Sequence, residues 1–313
     1  MMASASPVLV LLGPTCSGKS ALGLELASRL SGEVISCDSM QVYRGLAIGT
    51  AQPTEEERER VPHHLVACLE LQEPWNVNLF VPAAKRLTGE ISARGHLPII
   101  VGGTGLYARA LCYDFQLLPS DAALAAGLRK ESSTPEGRER LQAELSAAGP
   151  LPDDLQRNPR HLARAVEIYR LTGQAPWKLR GRSEKPLEGF RQFCLLPDFA
   201  HLKERIRRRT AAMIAAGWVD ECREALRRGL AQTPTAWQAL GYRDIAEYLA
   251  GHGPFTESAL TETLANRTIQ YARRQLTWFR HQHPGAVWLP FERWGPQWAE
   301  HLADEVCRHW KNG

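Results

Sequence analysis

No apolar run in the sequence approaches the ~18 residues that a membrane-crossing helix needs, so no membrane span is expected. The opening MMASASPVLVLLGPT has no basic leader and passes directly into a glycine-rich motif, which argues against a secretory signal. The cysteines, Cys16, Cys37, Cys68, Cys112, Cys194, Cys222 and Cys307, form no Cys-x-x-Cys pair and no Cys/His spacing suited to zinc. A disulfide framework and a structural zinc site are thereby excluded, and reduced thiols in a cytoplasmic protein are expected. Internal repeats and low-complexity tracts are also missing, which removes solenoids and disordered tails.

What remains is an ordinary globular composition: 313 residues, 44% apolar and 23% charged, long enough for one large domain with an insert or for two domains. The net charge is only +4, but its sign is unevenly placed. Pro53 to Arg60 is acidic, whereas HLKERIRRRT and QYARRQLTWFRHQHP in the C-terminal half are basic, a distribution that suits a polyanionic partner.

The opening pattern is strand (8–12), glycine loop, helix (19–30), then a second strand in EVISCDS that leads to Asp38. A helix over 78–94 precedes another strand, LPIIVGGTG. These are α/β units of a parallel sheet. In such sheets ligands bind beyond the carboxyl ends of the strands, so the loop, Asp38 and Thr104 are expected to converge. From about 120 to 187 only helical patterns occur, broken by STPEG, AAGPLPDD and GRSEKPLEG. Within them NPRHLARAVEIYRLTG has Asn158 to cap a helix, Pro159 at its first position and Gly173 at its exit. FRQFCLLPD then returns as a strand, followed by helices near 199–215, 218–229, 235–250 and 256–281, a strand AVWLP and a last helix 295–310. The reading is a P-loop NTPase-like parallel-sheet core, 1–120 with 188–313, carrying a helical insert, 121–187.

GPTCSGKS, formed by Gly13, Pro14, Thr15, Cys16, Ser17, Gly18, Lys19 and Ser20, matches G-x-x-x-x-G-K-[ST] in the strand-to-helix context that such a loop requires. Its backbone N–H groups would face phosphates at a helix N-terminus, Lys19 would add a point charge, and the Ser20 hydroxyl could hold Mg2+. Asp38, just after the second strand, could ligate the metal or accept a proton; the alternative is a cap for the segment that follows. Ser39 and Gln41 offer hydrogen bonds that a purine edge accepts. Arg209 falls in the apolar stripe Leu202, Ile206 and Met213, so it needs either a carboxylate partner or a bound phosphate. In TIQYARRQLTWFRHQ, Ile269, Ala272, Leu276 and Phe279 form an apolar stripe. Tyr271, Arg274, Trp278 and His281 lie opposite, where Arg274 and Trp278 could stack on unpaired bases, or could merely be a solvated face. The adjacent histidines of VPHHLV make a poor chelate and suit a hydrogen-bonding role.

The ordered set GPTCSGKS, ISCDSMQVYRGLAIGTAQP, VPHHL, PIIVGGTGLY, RHLARAVEIYRLTG, RRRTAAMIAAGWVDE, ALGYRDI and YARRQLTWFR resembles the tRNA dimethylallyltransferases over nearly the whole chain. The resemblance implies that dimethylallyl diphosphate and a flipped-out adenosine-37 of a tRNA anticodon stem-loop meet in a channel. It implies that Asp38 takes the proton from the adenine amine, while diphosphate leaves into a cradle of loop amides, Lys19, Ser20 with Mg2+, and Arg209. Thr104 matches the family's substrate-facing threonine. The segments that match tRNA contacts are Asp38, Ser39, Met40 and Gln41; Gln156, Arg157, Asn158, Pro159 and Arg160; and Gln238, Ala239, Leu240, Gly241, Tyr242 and Arg243. Arg164 is a further candidate for RNA or phosphate.

The chain departs from the family pattern at Ala47, where an aspartate is common, at Gln52, where a lysine is common, at Cys16 and at Ala126. No zinc-finger extension follows, as in the bacterial form, and a monomer is expected. Three other readings are a P-loop kinase of a small metabolite or nucleotide, an isopentenyltransferase for free adenine nucleotides, and a silent RNA-binding protein.

Overall fold

The computed structural model describes residues 7–113, 117–179, 185–252, 256–292, 294–295 and 297–311. Residues 1–6 of the opening segment and part of the GRSEKPLEG break lie outside them. The chain divides into two compact units, 1–113 with 184–313, and 114–183.

The first unit is built on six parallel strands: β1 (Val8–Leu12), β2 (Gly32–Cys37), β3 (His63–His64), β4 (Leu97–Gly102), β5 (Phe190–Pro197) and β6 (Val287–Phe291). Their order is β3-β2-β4-β1-β5-β6, with β1 in register with Leu9 on Ile99 and with Val10 on Gln192. Every residue of β1 is buried, which is why it reads as a continuous apolar run rather than an alternating one. On one face Leu9, Leu11, Ile99 and Val101 meet Leu22 and Leu26 of the helix Lys19–Leu30, together with Leu302 and Val306 of the last helix, Trp298–Lys311. Helix Val77–Ala93 packs against β2 and β4; Asn76 caps it by accepting from the N–H groups of Asn78 and Leu79.

The second unit contains the helices Ala122–Glu131, Pro135–Ser146, Asp153–Arg157, Pro159–Thr172 and Pro176–Leu179, with no strand among its described residues. They enclose a core of their own, centred on Leu128, Leu141, Leu145, Leu162 and Val166. Asn158 caps Pro159–Thr172 and Gly173 ends it at φ 69°, as the sequence pattern requires.

One expected helix is two elements. Over 235–250 the chain makes a short 3-10 turn, Ala236–Gln238, and a separate helix, Tyr242–Leu249. Gly241 between them has φ 90°, and a Cβ there would stand 2.7 Å from the Trp218 ring. Left-handed backbone and close packing both exclude a continuous helix.

β3 explains the paired histidines. His64 donates through Nε2 to Glu33 Oε2 at 2.7 Å, and His63 donates through Nδ1 to the Val61 carbonyl at 2.7 Å. Arg94 and His96 also bond the Glu33 carboxylate, which is only 4% exposed. Burial alone would raise the pKa of Glu33, but these three partners outweigh it and hold the group at about 2. The folded state therefore binds fewer protons than the unfolded one between the ordinary value of 4.5 and about 2. The associated stability is full above that window and is lost as pH falls through it. Glu33→Gln is expected to flatten this acid limb, a change on the order of 3 kcal/mol across the window, read from urea unfolding at a series of pH values.

Candidate active site

β1, β2 and β4 are adjacent in the sheet, and their carboxyl ends deliver the three chemical segments to one edge. β1 runs into the glycine loop, β2 into Asp38, and β4 into Gly102, Gly103 and Thr104. Beyond that edge lies a cavity of about 240 Å3, lined by Thr15, Cys16, Lys19 and Ser20 from the loop, by Asp38 and Gln41, and by Arg209.

The loop is held from several directions. Gly18 takes φ 93° at the start of the helix, a conformation that Gly adopts without strain. Gln275, on the long helix Glu257–Gln282, accepts the Thr15 N–H through Oε1 at 2.8 Å and donates through Nε2 to the Gly103 carbonyl at 2.8 Å. One buried amide thus ties the phosphate loop to the end of β4. From the far side the Trp294 indole donates to the Ser17 carbonyl at 3.0 Å, and the Trp298 ring lies where a Cβ on Gly18 would fall. The Ser17 hydroxyl is buried with no hydrogen-bond partner among the described residues.

The charges are concentrated. Lys19 Nζ donates to the Pro14 carbonyl at 3.3 Å. Burial lowers its pKa, the neighbouring Asp38 carboxylate works against that, and Arg209 adds to it. Arg209 donates to Cys16 Sγ at 3.5 Å and has no carboxylate partner among the described residues. Of the two ways to satisfy it, the carboxylate is therefore ruled out within the described residues. Asp38 lines the cavity and is half engaged: its Oδ1 accepts from the N–H groups of Met40 (2.8 Å) and Gln41 (3.2 Å), which closes a turn, while Oδ2 has no hydrogen bond among the described residues. The turn-cap reading of Asp38 is met by Oδ1 alone.

Several expectations need correction. Thr104 does not line the cavity; its hydroxyl accepts the Ser39 N–H at 3.1 Å and so braces the turn next to Asp38. Tyr242, expected among the RNA contacts, is fully buried with its hydroxyl on Glu221 at 2.6 Å. Ala239 is buried as well, and Leu240 lines the cavity. Gln238 and Arg243 are exposed, the latter over the Trp237 ring. Tyr271 does not belong with Arg274 and Trp278: with Thr268 and Gln275 it forms a third helix face, on the cavity, and burial raises its pKa. Arg274 and Trp278 are exposed, and the Trp278 ring lies against Gly105.

In the second unit Arg164 is already engaged. It donates to the carbonyls of Pro119 and Leu118 and pairs with Glu167 at 2.8 Å, which accounts for it structurally. Gln156, Arg157 and Arg160 are exposed around the cap at Asn158 and Pro159.

Three contributors escaped the sequence reading. Gln275 carries the same signal as Arg209, a polar residue on a buried helical face, and could have been found by it. Trp294 and Glu221 have no local signal, because what they hold lies far away in sequence.

The model of the IPP transferase family matches residues 41–282, and that of the isopentenyl transferases matches 6–66. The chain belongs to the IPP transferase family. It is 42% identical to a tRNA dimethylallyltransferase of Geobacillus kaustophilus over 90% of this chain and 89% of that one. It is also 42% identical to the enzyme of the same name from Thermus thermophilus, over 90% and 92% of the two chains. A solved tRNA isopentenylpyrophosphate transferase from Bacillus halodurans superposes with a TM-score of 0.71 at 33% identity, covering 98% of this chain and 97% of that one. The reaction is transfer of a dimethylallyl group to adenosine-37 of tRNA, and the kinase reading is not favoured. The fold is that of the P-loop NTPases, tRNA is the substrate, and enzymes of this family typically need a divalent metal. Among the described residues no helix is long and apolar enough to cross a membrane.

Gln275→Leu removes the one buried amide that satisfies two backbone groups and leaves the Thr15 N–H and the Gly103 carbonyl unpaired. A loss of about 1–3 kcal/mol in stability is expected, together with weaker protection by inorganic diphosphate in thermal melts.

Proposed function

We propose that the loop holds the diphosphate of dimethylallyl diphosphate as a leaving group, and that Asp38 is the general base for the adenine of a tRNA anticodon stem-loop. The observation that supports this is the meeting of opposite charges on one cavity: Lys19 and Arg209, the latter with no carboxylate partner among the described residues, line it together with Asp38, whose carboxylate is near enough to Lys19 to act on its charge.

The adenine N6 lone pair attacks the allylic carbon. An N–C bond forms, the C–O bond to diphosphate breaks, and the electron pair leaves with diphosphate. The N6 proton passes to Asp38 Oδ2. An allylic carbon tolerates positive charge as the C–O bond lengthens, so the larger contribution comes from stabilising the departing anion. Thr15 N–H is already committed to Gln275, which leaves the other loop amides, Lys19 and Arg209 to receive the diphosphate. Thr104 serves the turn that carries Asp38.

The residues fit Mg2+ held largely by substrate. No group of three His, Cys, Asp or Glu side chains among the described residues could enclose a metal, while Ser20 presents a hydroxyl on the cavity wall. That donor set suits a hard cation that keeps several waters and takes phosphate oxygens. Bound there, Mg2+ would neutralise charge on the leaving diphosphate.

In the second unit the exposed Gln156, Arg157 and Arg160 offer hydrogen bonds and charge to RNA; in the first, the exposed Gln238, Arg243, Arg274 and Trp278 offer hydrogen bonds, charge and one stacking ring to an unpaired loop. Extruding an unstacked base costs less there than in a duplex. A tRNA substrate also suits a monomer working in the cytoplasm.

Asp38→Ala is expected to lower kcat by about 10²–10⁴-fold, checked by product mass. A variant that turns over like the parent would remove Asp38 from the chemistry.

A further inference from the structure

One wall of the cavity is the stretch Gly49 to Pro53. It begins inside a four-residue helix, Ala47–Thr50, that has no side-chain cap at Leu46. What holds it comes from a distant part of the chain. Glu221, in the helix Trp218–Arg227, accepts the Ile48 N–H through Oε2 at 2.7 Å and the Gly49 N–H through Oε1 at 2.9 Å. The buried Tyr242 hydroxyl donates to the same Oε1 at 2.6 Å, fixing the carboxylate from behind.

The hydrogen bonds continue from that stretch toward the reactive group. The carbonyls of Thr50 and Ala51 accept from Gln41 Nε2 at 3.2 and 2.8 Å, and the Ser36 hydroxyl donates to Gln41 Oε1 at 2.8 Å. Both ends of the Gln41 amide are therefore fixed in orientation. The Gln41 N–H in turn donates to Asp38 Oδ1. A chain of hydrogen bonds runs from Glu221 through the 48–51 backbone and Gln41 to Asp38, touching neither Lys19 nor the loop amides.

We infer that Glu221 is a positioning residue for the acceptor half of the site: by holding the 48–51 backbone it locks Gln41 and aims the free oxygen of Asp38. This rests on Asp38 being the proton acceptor. Misplacement of a reacting group by about 1 Å can cost 10²-fold in rate. Because the chain bypasses the phosphate loop, the loss belongs in kcat and not in the binding of the diphosphate substrate.

Glu221→Gln tests it. A glutamine has the same shape, but its NH2 group meets a donor where a carboxylate oxygen accepted one. With dimethylallyl diphosphate and an anticodon stem-loop, the full-length variant is expected to lose kcat by about ten- to a hundred-fold. Its KM for dimethylallyl diphosphate should stay within about twofold and its circular dichroism should be that of the parent. Should Glu221→Gln fail to fold, Tyr242→Phe removes one donor and leaves both N–H bonds; it is expected to lower kcat a few-fold with the same split. A folded Glu221→Gln with unchanged kcat, a loss confined to KM for the diphosphate, or a fully active Tyr242→Phe would overturn the inference. Asp38→Ala, measured alongside, separates the two levels. If it is inactive while Glu221→Gln is fully active, only the positioning role falls. If it is fully active, the general-base reading falls and the inference with it.

Discussion

A phosphate loop binds an anion only while its N–H groups point at a common place, and here one buried side chain ties the loop to the sheet from within while two tryptophans hold it from the other side. The Gln275 amide joins the Thr15 N–H to the Gly103 carbonyl, so the segments that follow β1 and β4 are bridged by one side chain. Its amide has one donor and one acceptor facing the two groups that need them, a match that an apolar or charged residue could not supply. The same helix presents Tyr271 and Thr268 to the cavity one and two turns earlier, so the element that clamps the loop also forms part of the wall. Trp294 and Trp298 close the other side of the loop from the C-terminal segment, with Phe291 stacked on Trp298 at 5.8 Å. The loop is thus fixed by residues that follow it by more than 250 positions.

From that fixed frame the chemistry follows by charge. A kinase and a prenyltransferase can share a phosphate loop, because the loop recognises an anion and not the reaction. What distinguishes them is which groups share the cavity with it. Here Asp38 lines that cavity, with one oxygen accepting from the Met40 and Gln41 N–H groups, and the Gln41 amide is bonded at both ends. Arg209, with no carboxylate partner among the described residues, lies beside Cys16 of the loop, where charge on a leaving diphosphate would accumulate.

Much of this arrangement was legible in the chain itself, because it is written locally. The apolar run before GPTCSGKS, the strand before Asp38 and the Asn158-Pro159 start of a helix each combine residues within a few positions of one another. The division of the sequence into a sheet unit and a helical unit followed from the same local patterns. What the sequence could not show depends on distant partners. Thr104 reads as a substrate-facing threonine until Ser39 is seen bonded to it, Arg164 as a candidate for RNA or phosphate until the carbonyls of Pro119 and Leu118 appear beside it, and Tyr242 as an RNA contact until Glu221 accounts for its hydroxyl. Arg209 differs: a cation in an apolar stripe demands a partner wherever that partner lies, and the structure sets it beside Cys16 on the cavity wall.

The central claim is that phosphate leaves as diphosphate when carbon is transferred to RNA. It is tested most directly by mixing the protein with dimethylallyl diphosphate, Mg2+ and an anticodon stem-loop bearing three consecutive adenosines, then weighing the digested nucleosides. The account predicts a prenyl mass gain on a single adenosine, with one diphosphate released per transfer. An unmodified stem-loop, alongside turnover of a nucleoside triphosphate to a phosphorylated product, would contradict it.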